Sequence, residues 1–188
     1  MNQADIIFKL KNGDTAAFQK VVLAWQDKVY NTSLSIVQHA QDAEDITQEV
    51  FVTLYERIAD FREEATLATW MYRITVSKSL DHEKRKRRSK YGGLVRRIFF
   101  ITQEDEPLNF DHPGILLDNK EKAAVLFKAL KKLPEKQRIV FTLHKTEGLS
   151  YHEIARVMNT SLYAIESLQT RAKNNLKEIL KSYYQQHL

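Results

Sequence analysis

The residues with the most specific spacing lie in the last forty residues of the chain. Ser150 and Glu153 have the form of a capping box, in which a serine and a glutamate three residues later satisfy each other's free amides at a helix start. Ala155 is small enough for two helices to cross closely, Asn159 tolerates the left-handed backbone of a tight turn, and Ile165 is β-branched and apolar. This layout predicts a helix-turn-helix, whose second helix enters the major groove of DNA.

The second helix of this motif, predicted over residues 161–176, has a polar outward face near its start. Ser161 is a candidate N-cap, and Ile165 and Leu168 face inward. The side chains left outward are candidate base contacts, namely Leu162, Tyr163, Glu166, Ser167 and Thr170, with Arg171 and Lys173 as candidate phosphate contacts. The alternative is a plain helical hairpin with a solvated polar face. In that case Glu166 is merely solvated, instead of accepting a hydrogen bond from a cytosine amino group.

A second candidate nucleic-acid surface is a run of five basic residues, Lys84, Arg85, Lys86, Arg87 and Arg88. The run continues a predicted helix that carries Trp70, Tyr72 and Arg73. Because aromatic faces stack on unpaired bases and cations hold phosphates, this combination favours binding of a DNA strand. Taken singly, a basic run is more typical of a solvated helix end, and two aromatic residues are more typical of a core.

Charge is distributed unevenly along the chain, although the net charge is only +5. Residues 1–81 carry a net charge of −4, residues 82–97 carry +7, residues 98–119 carry −5 and residues 120–188 carry +7. Two basic blocks separated by an acidic segment suit the binding of a polyanion at two places better than general solubility.

Apolar residues recur at helical spacing over most of the chain, so the elements that carry these candidate contacts are predicted to be helices. One helix is predicted to begin after an N-cap at Asp14, a second to span the apolar stripe Ile46–Ile58, a third to run from residues 66–69 into the basic run, and a fourth to hold Pro134 in its first turn. The chain is therefore expected to be all-α.

Helix breakers are scarce, since five glycines and three prolines make up about 4% of the 188 residues, where ordinary usage gives roughly 12%. Five of these eight lie in one window: Gly92, Gly93, Pro107, Pro113 and Gly114. We therefore predict two small helical domains, residues 1–90 and 120–188, joined by a flexible linker over residues 91–119. The apolar residues 98–101 inside that linker are compatible with a local cluster, a short strand or a docking segment.

Several function classes find no support in the residues. Zero cysteines exclude disulfides, thiolate nucleophiles and cysteine-based zinc sites. None of the six histidines has a glutamate three residues before it, His152 lacks a second histidine four residues later, and Gly92 does not begin a phosphate-binding loop. We expect no enzymatic activity, no metal and no cofactor. Without an apolar run of roughly 18 residues or a signal core, we expect a cytoplasmic protein that does not insert into membranes.

Together these motifs resemble the extracytoplasmic-function sigma factors, group 4 of the sigma-70 family, which are small promoter-specificity subunits of bacterial RNA polymerase. The resemblance covers nearly the whole chain. It rests on a polymerase-binding segment, DAEDITQEVF (42–51), a segment that melts and recognises the downstream promoter element, TWMYRITVSKSLDHEKRKRR (69–88), and an upstream-element reader (133–155 with 161–176). It implies core RNA polymerase and promoter DNA as partners and allows an anti-sigma factor as a further one.

The resemblance also implies roles for single residues. The positions that match the acidic face docking on the clamp coiled coil of the polymerase are Asp45, Gln48 and Glu49, whose spacing places them on one helical face. The opening of the melting segment is matched by Trp70, Tyr72 and Arg73, and backbone contacts are expected from Lys84 and from Arg85 to Arg88. The positions that depart from the family's pattern are Ser77, Tyr163, Ala164, Glu166 and Leu168, and they concern which bases are read.

The alternative is a stand-alone helix-turn-helix regulator with an N-terminal sensing or dimerisation bundle, which needs neither the acidic face nor the Trp70 helix. Geometry bears on the choice, because two DNA elements about two helical turns apart are separated by roughly 70 Å. Thirty flexible residues relax to about 30 Å and reach at most about 100 Å. Such a linker spans the gap without fixing it, so the polymerase is expected to hold the domains apart.

Overall fold

The computed structural model describes residues 3–92 and 120–187, and within these residues it contains only helices and connecting turns. The N-terminal half, residues 3–92, consists of α1 (Gln3–Lys11), α2 (Thr15–Val37), α3 (Ala40–Arg57), a short 3-10 helix (Ile58–Asp60) and α4 (Leu67–Gly92). The C-terminal half, residues 120–187, consists of α5 (Lys120–Lys131), α6 (Glu135–Lys145), α7 (Tyr151–Met158) and α8 (Leu162–His187). The all-α prediction is confirmed over this part of the chain. The predicted linker lies outside the described residues, apart from its first two positions, which belong to α4.

Local capping sets several helix boundaries where the sequence predicts them. Asp14 accepts a hydrogen bond from the backbone amide three residues on, at 2.9 Å, and so starts α2. The Thr66 hydroxyl accepts from the Thr69 amide at 3.1 Å, at the predicted start of α4. Helix α6 begins at Glu135, one residue later than predicted, because Pro134 keeps an extended ψ of 139° and serves as the N-cap.

The N-terminal half is a bundle in which α2, α3 and α4 pack against one another. The buried stripe of α3 includes Ile46, Val50 and Leu54, each at most 1% exposed, and Met71 of α4 is fully buried. Burying one such side chain stabilises a fold by about 1.5–3 kcal/mol, so the stripe fixes the rotation of α3. The polar face of α3 is consequently held outward.

The C-terminal half is built on the contacts of α8 with α6 and α7. Ile154 of α7 and Ile165 of α8 are both fully buried at this junction. A second apolar cluster joins α5 to α8 through Leu130, Leu133 and Leu176. The start of α8 is thereby supported from behind, and its outer face remains open.

The two halves lie in direct contact, a feature absent from the sequence-based prediction. Helix α4 packs on α7, and α2 packs on α6. The buried guanidinium of Arg138 in α6 donates a hydrogen bond of 2.8 Å to the Ile36 carbonyl near the end of α2. The buried apolar side chains of both halves form one continuous cluster. This cluster spans both halves, whose relative placement the sequence does not predict, and the smaller cluster between α5 and α8 is separate from it.

Candidate nucleic-acid and partner-binding surfaces

The turn between α7 and α8 has the geometry predicted for a helix-turn-helix. The capping box is present, since the Ser150 hydroxyl accepts from the Glu153 amide while the Glu153 carboxylate accepts from the Ser150 amide at 2.8 Å. The Ser150 hydroxyl also donates to the Glu153 carboxylate at 2.7 Å, and this hydrogen bond, with the one from the Ser150 amide, lowers the pKa of Glu153 below its ordinary value. Asn159 ends α7 in the left-handed region at φ 48°, and the Thr160 amide donates to the Ala155 carbonyl. The predicted roles of Asn159 and of the capping pair are confirmed.

The predicted base and phosphate contacts of α8 lie on its outer face in the first three turns. Ser161 caps the helix, because its hydroxyl accepts from the Ala164 amide at 3.2 Å. Tyr163 is 80% exposed. The remaining predicted contacts are exposed in the case of Glu166, Thr170, Arg171 and Lys173, and half-buried in the case of Leu162 and Ser167. The structure thus brings all eight residues to one accessible surface.

Trp70 lies at the start of α4 beside a small cleft. Its ring packs on Phe61 with the centroids 5.1 Å apart, and it remains half-buried. The cleft has a volume of about 160 Å³ and is lined by Trp70, Arg73 and the residues of the loop before α4. The sequence reasoning missed that loop. Its signal is the charged sequence Arg62-Glu63-Glu64, which interrupts the apolar periodicity shortly before the start of α4, and Glu63 adopts a left-handed φ of 59°.

Tyr72 faces away from that cleft and is only 3% exposed. Its ring meets Trp25 edge to face, with the centroids 5.4 Å apart, and its hydroxyl donates a hydrogen bond of 2.8 Å to the Glu147 carboxylate of the C-terminal half. Burial and the neighbouring negative charge raise the pKa of Tyr72 far above its ordinary value. Burial also raises the pKa of Glu147. In this arrangement the Tyr72 ring is not available to stack on a base.

The other predicted basic contacts of α4 differ in whether they are already bonded. The Arg73 guanidinium donates to the Arg156 carbonyl at 2.8 Å, Lys84 pairs with Asp81 at 3.2 Å, and Arg87 pairs with Glu135 at 2.6 Å. Arg85 and Arg88 are exposed, and within the described part of the chain no ion pair joins them. Lys86, the fifth residue of the basic run, lies 2.9 Å from Asp42.

The three predicted polymerase contacts lie together on the outer face of α3. Asp45 and Gln48 are exposed, while Glu49 is half-buried and its carboxylate lies 3.4 Å from the Lys78 ammonium of α4. A groove of about 530 Å³ between α3 and α4 is lined by Glu49, Trp70, Arg73, Arg85 and neighbouring residues. The groove therefore connects the predicted polymerase face to the predicted DNA face.

Asp42, at the start of the same helix, faces α4 and does not belong to the outward face of the three predicted polymerase contacts. Its carboxylate lies 2.9 Å from Lys86, 3.1 Å from His82 and 3.3 Å from His39. Although partial burial alone raises the pKa of Asp42, the hydrogen bond and charge of Lys86, together with the two histidines, lower it below its ordinary value. These contacts join α3 to the basic run and leave Asp42 turned toward α4.

Residues 3–92 and 120–187 contain neither a cluster of metal ligands nor a membrane-spanning helix. Side chains of histidine, cysteine, aspartate or glutamate are nowhere grouped in threes that would hold a metal ion. In the same residues, each helix is too short or too polar to cross a membrane.

Two known sequence families match the ranges of the chain that carry these surfaces. Residues 21–89 match the family described as Sigma-70 region 2, and residues 123–176 match the family described as Sigma-70, region 4. These two ranges contain the acidic face with the Trp70 helix and the helix-turn-helix, respectively. The matched ranges together include 123 of the 188 residues.

Relatives of similar length resemble the chain over nearly its whole sequence. It is 29% identical over 178 residues to the RNA polymerase sigma-H factor of Pseudomonas aeruginosa, covering 94% of this chain and 92% of the relative. It is 28% identical over 177 residues to the ECF RNA polymerase sigma-E factor of Escherichia coli K12, covering 89% and 88%.

Two solved structures share the fold. CnrH in complex with the cytosolic domain of CnrY superimposes with a TM-score of 0.70 at 22% identity, covering 96% of this chain and 97% of that one. The sigma factor RpoE in complex with the anti-sigma factor NepR, from Bartonella quintana, gives 0.67 at 22% identity, covering 87% and 96%. From the two matched regions and these relatives, the chain belongs to the extracytoplasmic-function sigma factors of the sigma-70 family, RNA polymerase subunits for promoter recognition and transcription initiation.

Proposed function

We propose that the N-terminal half binds core RNA polymerase and the downstream promoter element, and that the C-terminal half binds the upstream element. The outer face of α3 docks on core RNA polymerase through Asp45, Gln48 and Glu49, and the start of α4 captures the opened downstream DNA strand at Trp70. The exposed face of α8 reads the upstream element in the major groove. The observation that carries this proposal is the groove between α3 and α4, because it joins the acidic face to Trp70, Arg73 and Arg85 in one surface.

The cleft beside Trp70 supports capture of an unpaired base. Trp70 offers a half-exposed ring next to a space of about 160 Å³, and Arg73 on the same rim carries a positive charge. Stacking of a base on an aromatic ring stabilises single-stranded binding by about 1–3 kcal/mol, without strong sequence preference. Strand separation is therefore assigned to the start of α4, and Arg85 and Arg88 hold the adjoining phosphates.

We assign residues 1–90 and 120–188 to the two working domains and residues 91–119 to the tether between them. The partners are core RNA polymerase and promoter DNA, so the protein works in the cytoplasm and performs no chemistry of its own. An anti-sigma factor is a further partner, supported by the similar fold of the sigma factor RpoE, whose structure is a complex with the anti-sigma factor NepR. The match of residues 21–89 to sigma-70 region 2 favours this assignment over a stand-alone regulator.

Run-off transcription tests the proposal directly. Purified core polymerase is incubated with fragmented genomic DNA, with and without the protein, and the new RNA 5′ ends are mapped. We expect new start sites that share two upstream sequence elements. Start sites identical in the two reactions would sink the sigma assignment, and regulation of existing start sites would support the stand-alone regulator.

Charge reversal tests the docking face separately. The double variant Asp45→Lys and Glu49→Lys is expected to lose core binding, measured by native gel shift or size exclusion with core polymerase. The matched control, Asp27→Lys and Glu56→Lys, changes the same total charge at two exposed positions outside the three predicted contacts. Equal core binding by the two double variants would remove the docking assignment and leave the DNA assignments standing.

A further inference from the structure

The basic run lies on the part of α4 that the apolar core does not hold. Among residues 67–88 of this helix, Ser79 is the last that is buried, and residues 80–88 are half-buried or exposed. Lys84 and Arg88 are four residues apart and Arg85 and Arg88 are three apart, and like charges at these spacings destabilise a helix. The basic end of α4 therefore needs support from another element.

One carboxylate of α3 supplies such a contact. The Asp42 carboxylate lies 2.9 Å from the Lys86 ammonium and 3.1 Å from the ring of His82. Because His82 and Lys86 are four residues apart, they share one face of α4. The ring of His39 caps α3 by accepting a hydrogen bond from the Asp42 amide at 3.2 Å. The contact therefore joins the fixed start of α3 to two consecutive turns of α4.

The other ion pairs of the basic run do not reach α3. Lys84 pairs with Asp81 inside α4, and Arg87 pairs with Glu135 of the C-terminal half. Among residues 3–92 and 120–187, Asp42 is thus the residue of α3 that forms an ion pair with the basic run.

The face of α4 that carries Lys86 differs from the face that carries Trp70. Spacings of seven, eight and three residues place Trp70, Ser77, Arg85 and Arg88 along one side of the helix, which we call the Trp70 stripe. The first three of these residues line the groove between α3 and α4. With 3.6 residues per turn, Lys86 lies about 100° from Arg85 and about 160° from Arg88 around the helix axis. Asp42 thus holds Lys86 against α3 on a separate face.

We propose that Asp42 is a positioning residue for the DNA-binding face of α4. Its carboxylate withdraws Lys86 from DNA and orients the basic run so that Arg85 and Arg88 continue the Trp70 stripe. This inference rests on the proposed function, which gives strand capture to Trp70 and the adjoining phosphates to the two arginines. Asp42 itself contacts neither DNA nor polymerase, and it acts through Lys86 and His82.

A second acidic residue of α3 also reaches α4, but it has a different assignment. The Glu49 carboxylate lies 3.4 Å from the Lys78 ammonium, and the proposed function gives Glu49 to core polymerase. Asp42 is turned toward α4 and lies outside that docking face. When Glu49 engages polymerase, the contact of Asp42 with Lys86 remains. The orientation of the basic run is therefore kept in the holoenzyme, where the promoter is opened.

The variant Asp42→Asn tests the proposal, because it removes the charge and keeps the size of the side chain. In holoenzyme reconstituted with core polymerase, promoter opening measured by permanganate reactivity should fall about fivefold, as expected for two partly exposed ion pairs. The dependence of log affinity for promoter duplex on log salt should become steeper by about 0.9, because Lys86 becomes free to meet a phosphate. Unfolding would weaken both opening and binding, so these opposite changes are specific to positioning.

Glu44→Gln is the matched control for Asp42→Asn. Glu44 is exposed two residues further along α3, so this variant removes the same charge close to the same helix end. It should change neither promoter opening nor the salt dependence.

The variant Lys86→Gln provides an independent readout. In the wild-type background it should leave the salt dependence unchanged, because Lys86 is withdrawn from DNA. In the Asp42→Asn background it should make the dependence shallower by about 0.9 and so restore the wild-type value. Promoter opening should stay reduced in this double variant, since the contact with His82 is also lost.

The outcomes separate this inference from the proposed function. A salt dependence shallower by about 0.9 in Lys86→Gln alone would show that Lys86 contacts DNA in the wild type and would overturn the proposal. Normal promoter opening by folded Asp42→Asn would overturn it as well. Failure of wild-type run-off transcription would instead reject the proposed function. Thermal unfolding establishes that each variant is folded, and Lys86→Gln alone decides the question if Asp42→Asn is not.

Discussion

At the start of α8 the predicted base contacts point into solvent, whereas on α4 three predicted contacts are bonded to the opposite half. Tyr163 is 80% exposed, but Tyr72 is 3% exposed. Tyr163 was predicted to touch DNA from its outward position on the recognition helix and Tyr72 from the family resemblance, yet only Tyr163 is accessible while the halves are in contact. In this arrangement the contacts predicted on α8 are accessible, whereas the Tyr72 ring is covered by the C-terminal half.

The largest expected effect comes from removing the packing that holds α8 in place. Ile165→Ala empties a fully buried position that holds α8 against α7, and such substitutions cost about 2–5 kcal/mol. The free energy of unfolding, measured by urea denaturation with circular dichroism, is expected to fall by that amount, and upstream-element binding should be lost.

A matched apolar truncation provides the control for Ile165→Ala. Leu23 is 65% exposed, so Leu23→Ala is expected to change stability by less than about 0.5 kcal/mol. Core binding should survive in both variants, because α3 lies in the other half. If Ile165→Ala were as stable as Leu23→Ala, the buried junction of α7 and α8 would not be what positions the recognition helix.

The next effect concerns the α4 side. Trp70→Ala removes the ring beside the cleft and should reduce opening of promoter DNA about five- to hundredfold, since base stacking stabilises binding by about 1–3 kcal/mol. Permanganate reactivity of unpaired thymines measures the opening. Trp70→Phe keeps an aromatic face and should retain most of it, while normal opening by Trp70→Ala would move strand capture to another residue.

A smaller effect distinguishes free from bonded cations in the basic run. The double variant Arg85→Ala and Arg88→Ala should lower the slope of log affinity against log salt by about 1.8, at roughly 0.9 per phosphate contact. Arg87→Ala should change it less in the free protein, because Arg87 already pairs with Glu135. Lys20→Ala with Lys177→Ala, two exposed cations elsewhere, is the control, and an equal slope in both double variants would mean that Arg85 and Arg88 are merely solvated.

The helices and their boundaries were predictable because their causes are local. Asp14, the Ser150 and Glu153 pair, and Asn159 each act within four residues along the chain, so their types and spacing carry the information. The apolar stripe of α3 is likewise visible as a four-residue period. Pro134 is displaced by one position, since an extended ψ places it before the helix, and α8 continues to His187, beyond the predicted end at residue 176.

The contact between the halves could not be read from the sequence, because its partners are far apart along the chain. Tyr72 and Glu147 are separated by 75 residues, and Ile36 and Arg138 by 102. Tyr72 alone is compatible with a core position or with a base platform, and a glutamate in a turn is ordinarily solvated. Residue type therefore leaves both environments open for Tyr72, and only the packing of α4 against α7 shows which one it occupies.

The smallest effect compares two carboxylates, one within the N-terminal half and one between the halves. Asp42 has a lowered pKa when folded, so its contribution is complete above its unfolded value of about 3.9 and is lost as the pH falls through the lower folded value. Glu147 has a raised pKa because it is buried where the two halves meet, so the contact between the halves favours its protonated form. The contact between the halves should therefore weaken as the pH rises from about 4.3, the ordinary pKa of a glutamate, toward the raised pKa of Glu147.

Energy transfer between dyes on Ala59→Cys and Lys177→Cys, two exposed positions with one in each half, checks the sign for Glu147 when it is measured from pH 4 upward. The titratable groups that line the same space as Glu147 are Lys28 of α2, Tyr72 of α4 and Glu153 of α7. Glu147→Gln should flatten the pH dependence of transfer efficiency. Asp42→Asn should leave that dependence unchanged and remove only the decrease in the free energy of unfolding that accompanies protonation of Asp42 at acid pH. If transfer efficiency rose with pH in the wild type and still did so in Glu147→Gln, charged groups other than Glu147 would govern the contact between the halves. The ion pair of Arg87 with Glu135 would then be the group to test.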